Sequence, residues 1–136
     1  MDFEKVAAAE FGHALTGISV NLLVRDVRAE AAFLTAVFEM QTHQLSNDFA
    51  IMLHAGIPFQ LHSDATFASN PLFALLPEAG ARGTGIELRL HEADPDRAAA
   101  RVSDFADAVL LQPATDKTGH GLREAVILCP NGYAQK

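Results

Sequence analysis

Two short runs of the sequence space polar side chains so that they could act together. In Gly85-Ile86-Glu87-Leu88-Arg89-Leu90-His91-Glu92, a carboxylate, a guanidinium and an imidazole alternate with three apolar residues. Successive side chains of an extended chain point to opposite faces, so Glu87, Arg89 and His91 would share one face. In Pro58-Phe59-Gln60-Leu61-His62 the same rule sets Gln60 beside His62. A carboxylate and an imidazole on a half-buried face can pass a proton at pKa values tuned by burial, or can fix a ligand by hydrogen bonds. Ser19 and Asn21 share a face in Ile18-Ser19-Val20-Asn21-Leu22-Leu23, where the amide is free to bond a ligand or the chain itself. His120 and Arg123 stand just before an apolar run, Ala125-Val126-Ile127-Leu128-Cys129. The single cysteine, Cys129, has no base beside it in sequence and reads as a buried, inert thiol. Gly80, Gly83 and Gly85 lack the Lys-Ser/Thr that a phosphate loop needs, and no nucleophile elbow is present.

These groups need elements to hold them. Residues 18–25 alternate as a strand, and Asp26 follows where a helix N-cap belongs. Val27, Ala31, Leu34, Val37 and Phe38 then recur at helical spacing, predicting a helix that ends near Met40. Strands are predicted at 42–45, 49–54 and 58–62, with a turn at Ala55-Gly56 and with Pro58 marking an edge or a strand start. A connector follows over 64–84, with a short helical piece at 70–76 and a glycine-rich exit at 80–85. Then the order returns: a strand over 85–92, a helix opened by Asp94-Pro95-Asp96, and an apolar stripe of Ala98, Val102 and Phe105. Strands are predicted at 108–112 and 124–129, then a turn at Pro130-Asn131-Gly132 and a last strand from Tyr133. The first seventeen residues are alanine-rich, with Phe3, Val6, Phe11 and Ala14 at helical spacing, and would pack on the domain or on a partner subunit.

Composition narrows the class of function. The chain has 136 residues, 49% of them hydrophobic, which suits one packed domain. Its net charge of −7 is the wrong sign for a phosphate backbone, so no nucleic-acid partner is expected. No apolar run is long enough for a bilayer, and the opening residues, with Asp2 and Glu4, do not resemble a secretory signal. The expected setting is cytoplasmic, with no membrane partner.

The repeat is the main organisational feature. Strand, Asp-capped helix and three strands occur twice, with caps at Asp26 and Asp94 and turn glycines at Gly56 and Gly132. The expected division is an N-terminal helical extension (1–17), a first βαβββ module (18–63), the connector (64–84) and a second module (85–136) within one domain. Each half is too small for a core of its own, so the two should share one. Val20 to Val27, Gly85 to Leu88 with Asp94, and Gly119-His120-Gly121-Leu122-Arg123-Glu124 running to Pro130-Asn131-Gly132-Tyr133 resemble the glyoxalase/bleomycin resistance/dioxygenase superfamily, also called vicinal oxygen chelate.

The resemblance implies an α+β fold in which two βαβββ modules form curved mixed sheets around a cleft, often completed by a second subunit. It aims Ser19, Asn21, Gln60, His62, Glu87 and Arg89 into that cleft and places His120 and Arg123 at its mouth, as a ligand-binding set. In the metal enzymes of that superfamily four positions hold a divalent ion. Carried over, they fall on Ser19, Gln60, Glu87 and Lys136. Only Glu87 is a strong ligand there, and Lys136 is itself a cation. No cofactor is therefore expected; if a metal binds, Gln60 and Glu87 with His62 or His91 are its ligands. The leading expectation is a homodimer that binds a small molecule in its cleft without metal. The alternatives are a metal-dependent lyase, isomerase or dioxygenase, and a structural or regulatory dimer with a vestigial cleft.

Overall fold

A computed structural model of the chain describes residues 1–67, 71–83 and 85–136. A short helix, α1 (Ala8–Ala14), precedes a first module of β1 (Asn21–Val24), α2 (Val27–Phe38), β2 (Gln41–His43), β3 (Phe49–His54) and β4 (Ile57–Ser63). Two 3-10 turns, Asp64–Phe67 and Pro71–Leu75, begin the connector. The second module holds β5 (Glu87–Leu88), α3 (Pro95–Arg101), β6 (Val109–Asp116), β7 (Arg123–Leu128) and β8 (Ala134–Gln135). Each module is an open four-stranded sheet, in the orders β1-β4-β3-β2 and β5-β8-β7-β6. In both, the first strand pairs parallel with the fourth and the rest are antiparallel. The mixed α+β fold and the duplicated order are those predicted. Among the described residues no helix is long and apolar enough to cross a membrane.

Local chemistry accounts for the helices. Asp26 Oδ1 accepts from Ala29 N at 2.9 Å, and Asp94 Oδ1 accepts from Asp96 N at 3.1 Å and Arg97 N at 3.2 Å, as N-caps do. Helix α2 ends where Glu39 turns left-handed. Its predicted stripe is buried, and so is Phe33, which meets Phe38 and Phe105 edge-on with centroids 6.0 and 5.2 Å away. Phe33 thus joins the helical layers of both modules in one core with Leu22, Met52, Leu61, Ala98, Val102 and Ile127. The shared core follows from size, because neither half could bury enough apolar area alone.

The Pro130-Asn131-Gly132-Tyr133 turn clasps the modules. Asn131 Oδ1 accepts from Arg25 N at 2.9 Å, and its Nδ2 donates to the buried Glu30 Oε2 at 2.9 Å. Tyr133 donates its hydroxyl proton to Leu23 O at 2.9 Å. The connector crosses this turn tightly: a Cβ on Gly83 would strike Tyr133, and one on Gly132 would strike Ala81. Burial pushes the Cys129 thiol, beside Glu30, up to about 12, so it is inert as predicted.

Several boundaries differ from the sequence reading. The strand predicted over 85–92 shrinks to two residues because its partner β8 is equally short; Lys136 extends the pairing only by single bonds with Leu88 O and Leu90 N. Strand β2 runs Gln41–His43 rather than 42–45, since Gln44 turns left-handed. Strand β6 continues to Asp116, past the predicted 112, through two register shifts. Pro58 lies in β4, a central strand, before the pairing with β1 begins at Gln60, so its missing N–H costs no ladder bond to β1. The helical piece predicted from Asn70 and the exit through Thr84 fall on residues of which Asn70 and Thr84 lie outside the described set.

Candidate functional site

Strand register decides which side chains meet. In the first sheet Asn21 pairs with Gln60 and Gln60 with Ile51, while Leu23 pairs with His62 and His62 with Phe49. Paired residues share a face, so these groups lie together on the side away from α2. Ser19 and Asn21 are exposed at the strand entry. His62 donates from Nε2 to Gln60 Oε1 at 3.1 Å and meets the Phe49 ring edge-on at 5.2 Å. Burial holds the His62 ring below the usual imidazole range and so favours its neutral form. Helix α1 lies across this face. Phe11 and Val6 pack on Ile51, and a pocket of about 340 Å³ remains between Ala8, Phe11 and Gly12 on one side and Phe49, Ile51, Gln60 and His62 on the other.

In the second sheet Glu87 pairs with Ala134 and Ala134 with Leu128. Counting by twos places Glu87, Arg89, Glu124 and Lys136 on the face away from α3. Glu124, 8% exposed, is the hub: Arg89 Nη2 lies 3.6 Å, Lys136 Nζ 3.4 Å and His120 Nε2 3.3 Å from its carboxylate. Leu122 N donates to His120 Nδ1 at 3.2 Å, which leaves the ring proton on Nε2, facing Glu124. Burial alone would raise the Glu124 pKa, but the Lys136 ammonium and then His120 outweigh it and hold the carboxyl below its usual range. Lys136 Nζ also lies 3.6 Å from Glu87 Oε2.

Five of the predicted residues divide between two pockets, and Ser19, Asn21, His120 and Arg123 line neither. Gln60 and His62 occupy the pocket under α1, whereas Glu87, Arg89 and His91 line a groove of about 560 Å³ between the modules. The first module supplies that groove with Val20, Ile57, Pro58 and Phe59, and the second adds Leu88 and Leu90 beside its polar residues. The His91 carbonyl accepts from His54 Nε2 at the groove. Arg123 points to the other face of β7, donating to Asp96 Oδ1 at 2.8 Å and Asp116 Oδ1 at 3.2 Å. Sequence reasoning missed Glu124. The available signal was a carboxylate at the head of an apolar run, which demands a partner once buried.

The four positions implied for a divalent ion do not fit one. Ser19 is exposed, Gln60 is bonded to His62 in a different pocket from Glu87, and the Lys136 ammonium stands against Glu87. Among the described residues no group of three His, Cys, Asp or Glu side chains is arranged to hold a metal. An ammonium at a carboxylate repels an incoming cation, and a metal needs about three such donors converging at roughly 2 Å.

No family model matches the chain, and no curated protein sequence does. Solved structures do. A glyoxalase/bleomycin resistance protein/dioxygenase family enzyme from Burkholderia phytofirmans PsJN superposes with a TM-score of 0.65 at 20% identity, over 86% of this chain and 92% of that one. A glyoxalase-related enzyme from Fulvimarina pelagi gives 0.66 at 16% identity, over 89% and 86%. A possible glyoxalase from Bacillus cereus gives 0.59 at 19% identity, over 89% and 96%. The duplicated modules, their strand order and these superpositions agree: this chain has the glyoxalase/bleomycin resistance/dioxygenase fold.

Proposed function

We propose that the protein binds a small amphipathic molecule, without a metal ion, in a cleft that a second copy of the chain completes. The observation that carries this reading is the groove between the modules, about 560 Å³ in volume, which Glu87 and Arg89 line together with Val20, Ile57 and Phe59. That volume lies within the range of small-molecule sites, which pair an apolar wall with a few directed polar groups. Support for the second copy is at the rim: Ile18 is 95% and Ile57 70% exposed. Apolar side chains clustered at a groove mark an interaction surface. In this reading Arg89 orients the ligand, and Glu124, 3.6 Å away, holds the guanidinium in place. A metal-dependent lyase, isomerase or dioxygenase would need a donor set that Lys136 disrupts.

The test is a thermal-shift and calorimetric screen of small amphipathic compounds on protein dialysed against chelator. A ligand at a hundred times its Kd should stabilise by about 2.7 kcal/mol, and Arg89→Ala should weaken it at least tenfold. Sedimentation should show a dimer at micromolar concentration that Ile18→Asp with Ile57→Asp separates. A stoichiometric divalent ion surviving dialysis, or a panel that moves no transition, overturns the reading.

A further inference from the structure

The segment that carries α1 is attached to the domain by very little. Of residues 1–15 only Val6 and Phe11 are buried, and with Ile51 they form a small apolar cluster apart from the shared core. Phe3 meets Phe11 edge-on with centroids 6.1 Å apart. Among the described residues, every hydrogen bond or ion pair from this segment to the rest of the chain ends on His43 or Gln44. Gln44 donates from Nε2 to Phe3 O at 2.9 Å and to Val6 O at 2.8 Å, and its N–H donates to Glu4 Oε2 at 3.0 Å. His43 Nδ1 lies 3.3 Å from the same oxygen. Gln44 makes these bonds from a left-handed backbone at φ 52°, a conformation that persists only where its surroundings hold it.

We infer that residues 3–14 form a strap that docks reversibly over the helix-free face of the first sheet and swings away at Gly17, so that this face has a closed and an open state. A helix of seven residues is too short to persist without its docking contacts. After it, Leu15 is extended, Gly17 stands at φ 67°, and residues 16–19 are exposed before β1 begins. Glycine takes either sign of φ at little cost, so the swing breaks no strand and no part of the shared core. Undocking uncovers Val6, Phe11 and Ile51 and breaks three hydrogen bonds, whereas unfolding uncovers the core of both modules. Segments with so few buried contacts open at a fraction of the global free energy. The strap is thus an internal competitor: whatever approaches the first sheet must displace Phe11 from Ile51.

Hydrogen exchange on the whole 136-residue chain, read by NMR along a urea series, separates the two states. The amides of Phe11 and Gly12 should exchange about a hundredfold faster than those of β3 and β4, at rates that urea hardly changes below the unfolding transition. Gln44→Ala should raise exchange over 8–14 about tenfold and leave β3 and β4 as they were. Phe11→Ala removes the anchor and should hold the strap open, with the melting temperature within a few degrees of the wild type. Nile red, a neutral apolar dye, should then bind several times more strongly than to the wild type. A synthetic peptide of residues 1–16, added to the Phe11→Ala chain, should displace the dye, and the same peptide carrying Phe11→Ala should not. Strap and sheet amides that open together, at the global free energy, overturn the inference. So do dye binding that matches the wild type, dye that the peptide leaves in place, and loss of the cooperative transition in Phe11→Ala, which would make the strap part of the core. None of these outcomes touches the groove reading, which is scored at Arg89.

Discussion

The two modules share strand order and an Asp-capped helix but spend their inner faces differently. In the first, α2 runs twelve residues with seven buried, and β3 and β4 pair over six residues without interruption. Its free face is apolar enough to need a cover, and α1 provides one. In the second, α3 runs seven residues with only Ala98 buried, β5 pairs over two, and the β6–β7 ladder slips register twice. Its free face is filled by an ion network on Glu124 rather than by a helix. A duplicated plan thus conserves connectivity, while the identity of a few inward residues decides whether a face becomes a covered pocket or a charged floor. The first module is the firm half, and the second depends on what clasps it to the first.

Phe33→Ala is the most severe test of that dependence. Phe33 is fully buried between Phe38 and Phe105, so its loss should cost about 3–5 kcal/mol by urea unfolding, in a single transition. Two separated transitions would mean that the modules do not share a core. Next is Asn131→Ala, which leaves the Arg25 N–H and the Glu30 carboxyl without the clasp. A loss of about 1–3 kcal/mol is expected, with hydrogen exchange rising in β7 and β8 more than in β3 and β4. Equal rises in both sheets would contradict the firm-half, dependent-half picture.

Glu30 adds a pH term to the same clasp. Burial raises its pKa, against hydrogen bonds from Cys129 and Asn131 that lower it. The folded state therefore holds this proton more tightly than the unfolded chain. Its contribution is present below the ordinary carboxylate range and is lost as pH rises through the folded pKa. Urea midpoints of the wild type should fall relative to Glu30→Gln as the pH rises above the ordinary carboxylate range; a constant difference would show no shifted titration at this site. The smallest effect belongs to Arg123→Ala. Its partners Asp96 and Asp116 are exposed, so stability should hardly change, and ligand binding in the groove should be untouched. Lost binding would return Arg123 to the site despite its position on the opposite face.

Much of the fold was legible because its signals are local. Asp26 and Asp94 cap because a short carboxylate reaches the free amides two or three residues on, whatever else the chain does. The α2 stripe and the 49–54 strand carry their periods in a single window. The length of the strand after Gly85 was not legible, because Glu87 and Leu88 form a ladder only where Ala134 and Gln135 lie beside them, far along the chain. The candidate site shows the same division. Gln60 with His62, and Glu87 with Arg89, were neighbours by alternation alone. Their separation into two pockets was decided by where α1 docks and how the modules splay.

By itself the sequence determined the caps, the periods, the duplicated order and the alternating polar faces, all set by residues within a few positions of one another. The tertiary structure alone decided that Glu124 gathers Arg89, His120 and Lys136, that Arg123 leaves for Asp96, and that the N-terminal helix roofs Gln60 and His62. The physical reason is reach. Ion pairs and pocket walls form between side chains brought within a few ångströms by strand register and core packing, and neither is written in any one stretch of chain.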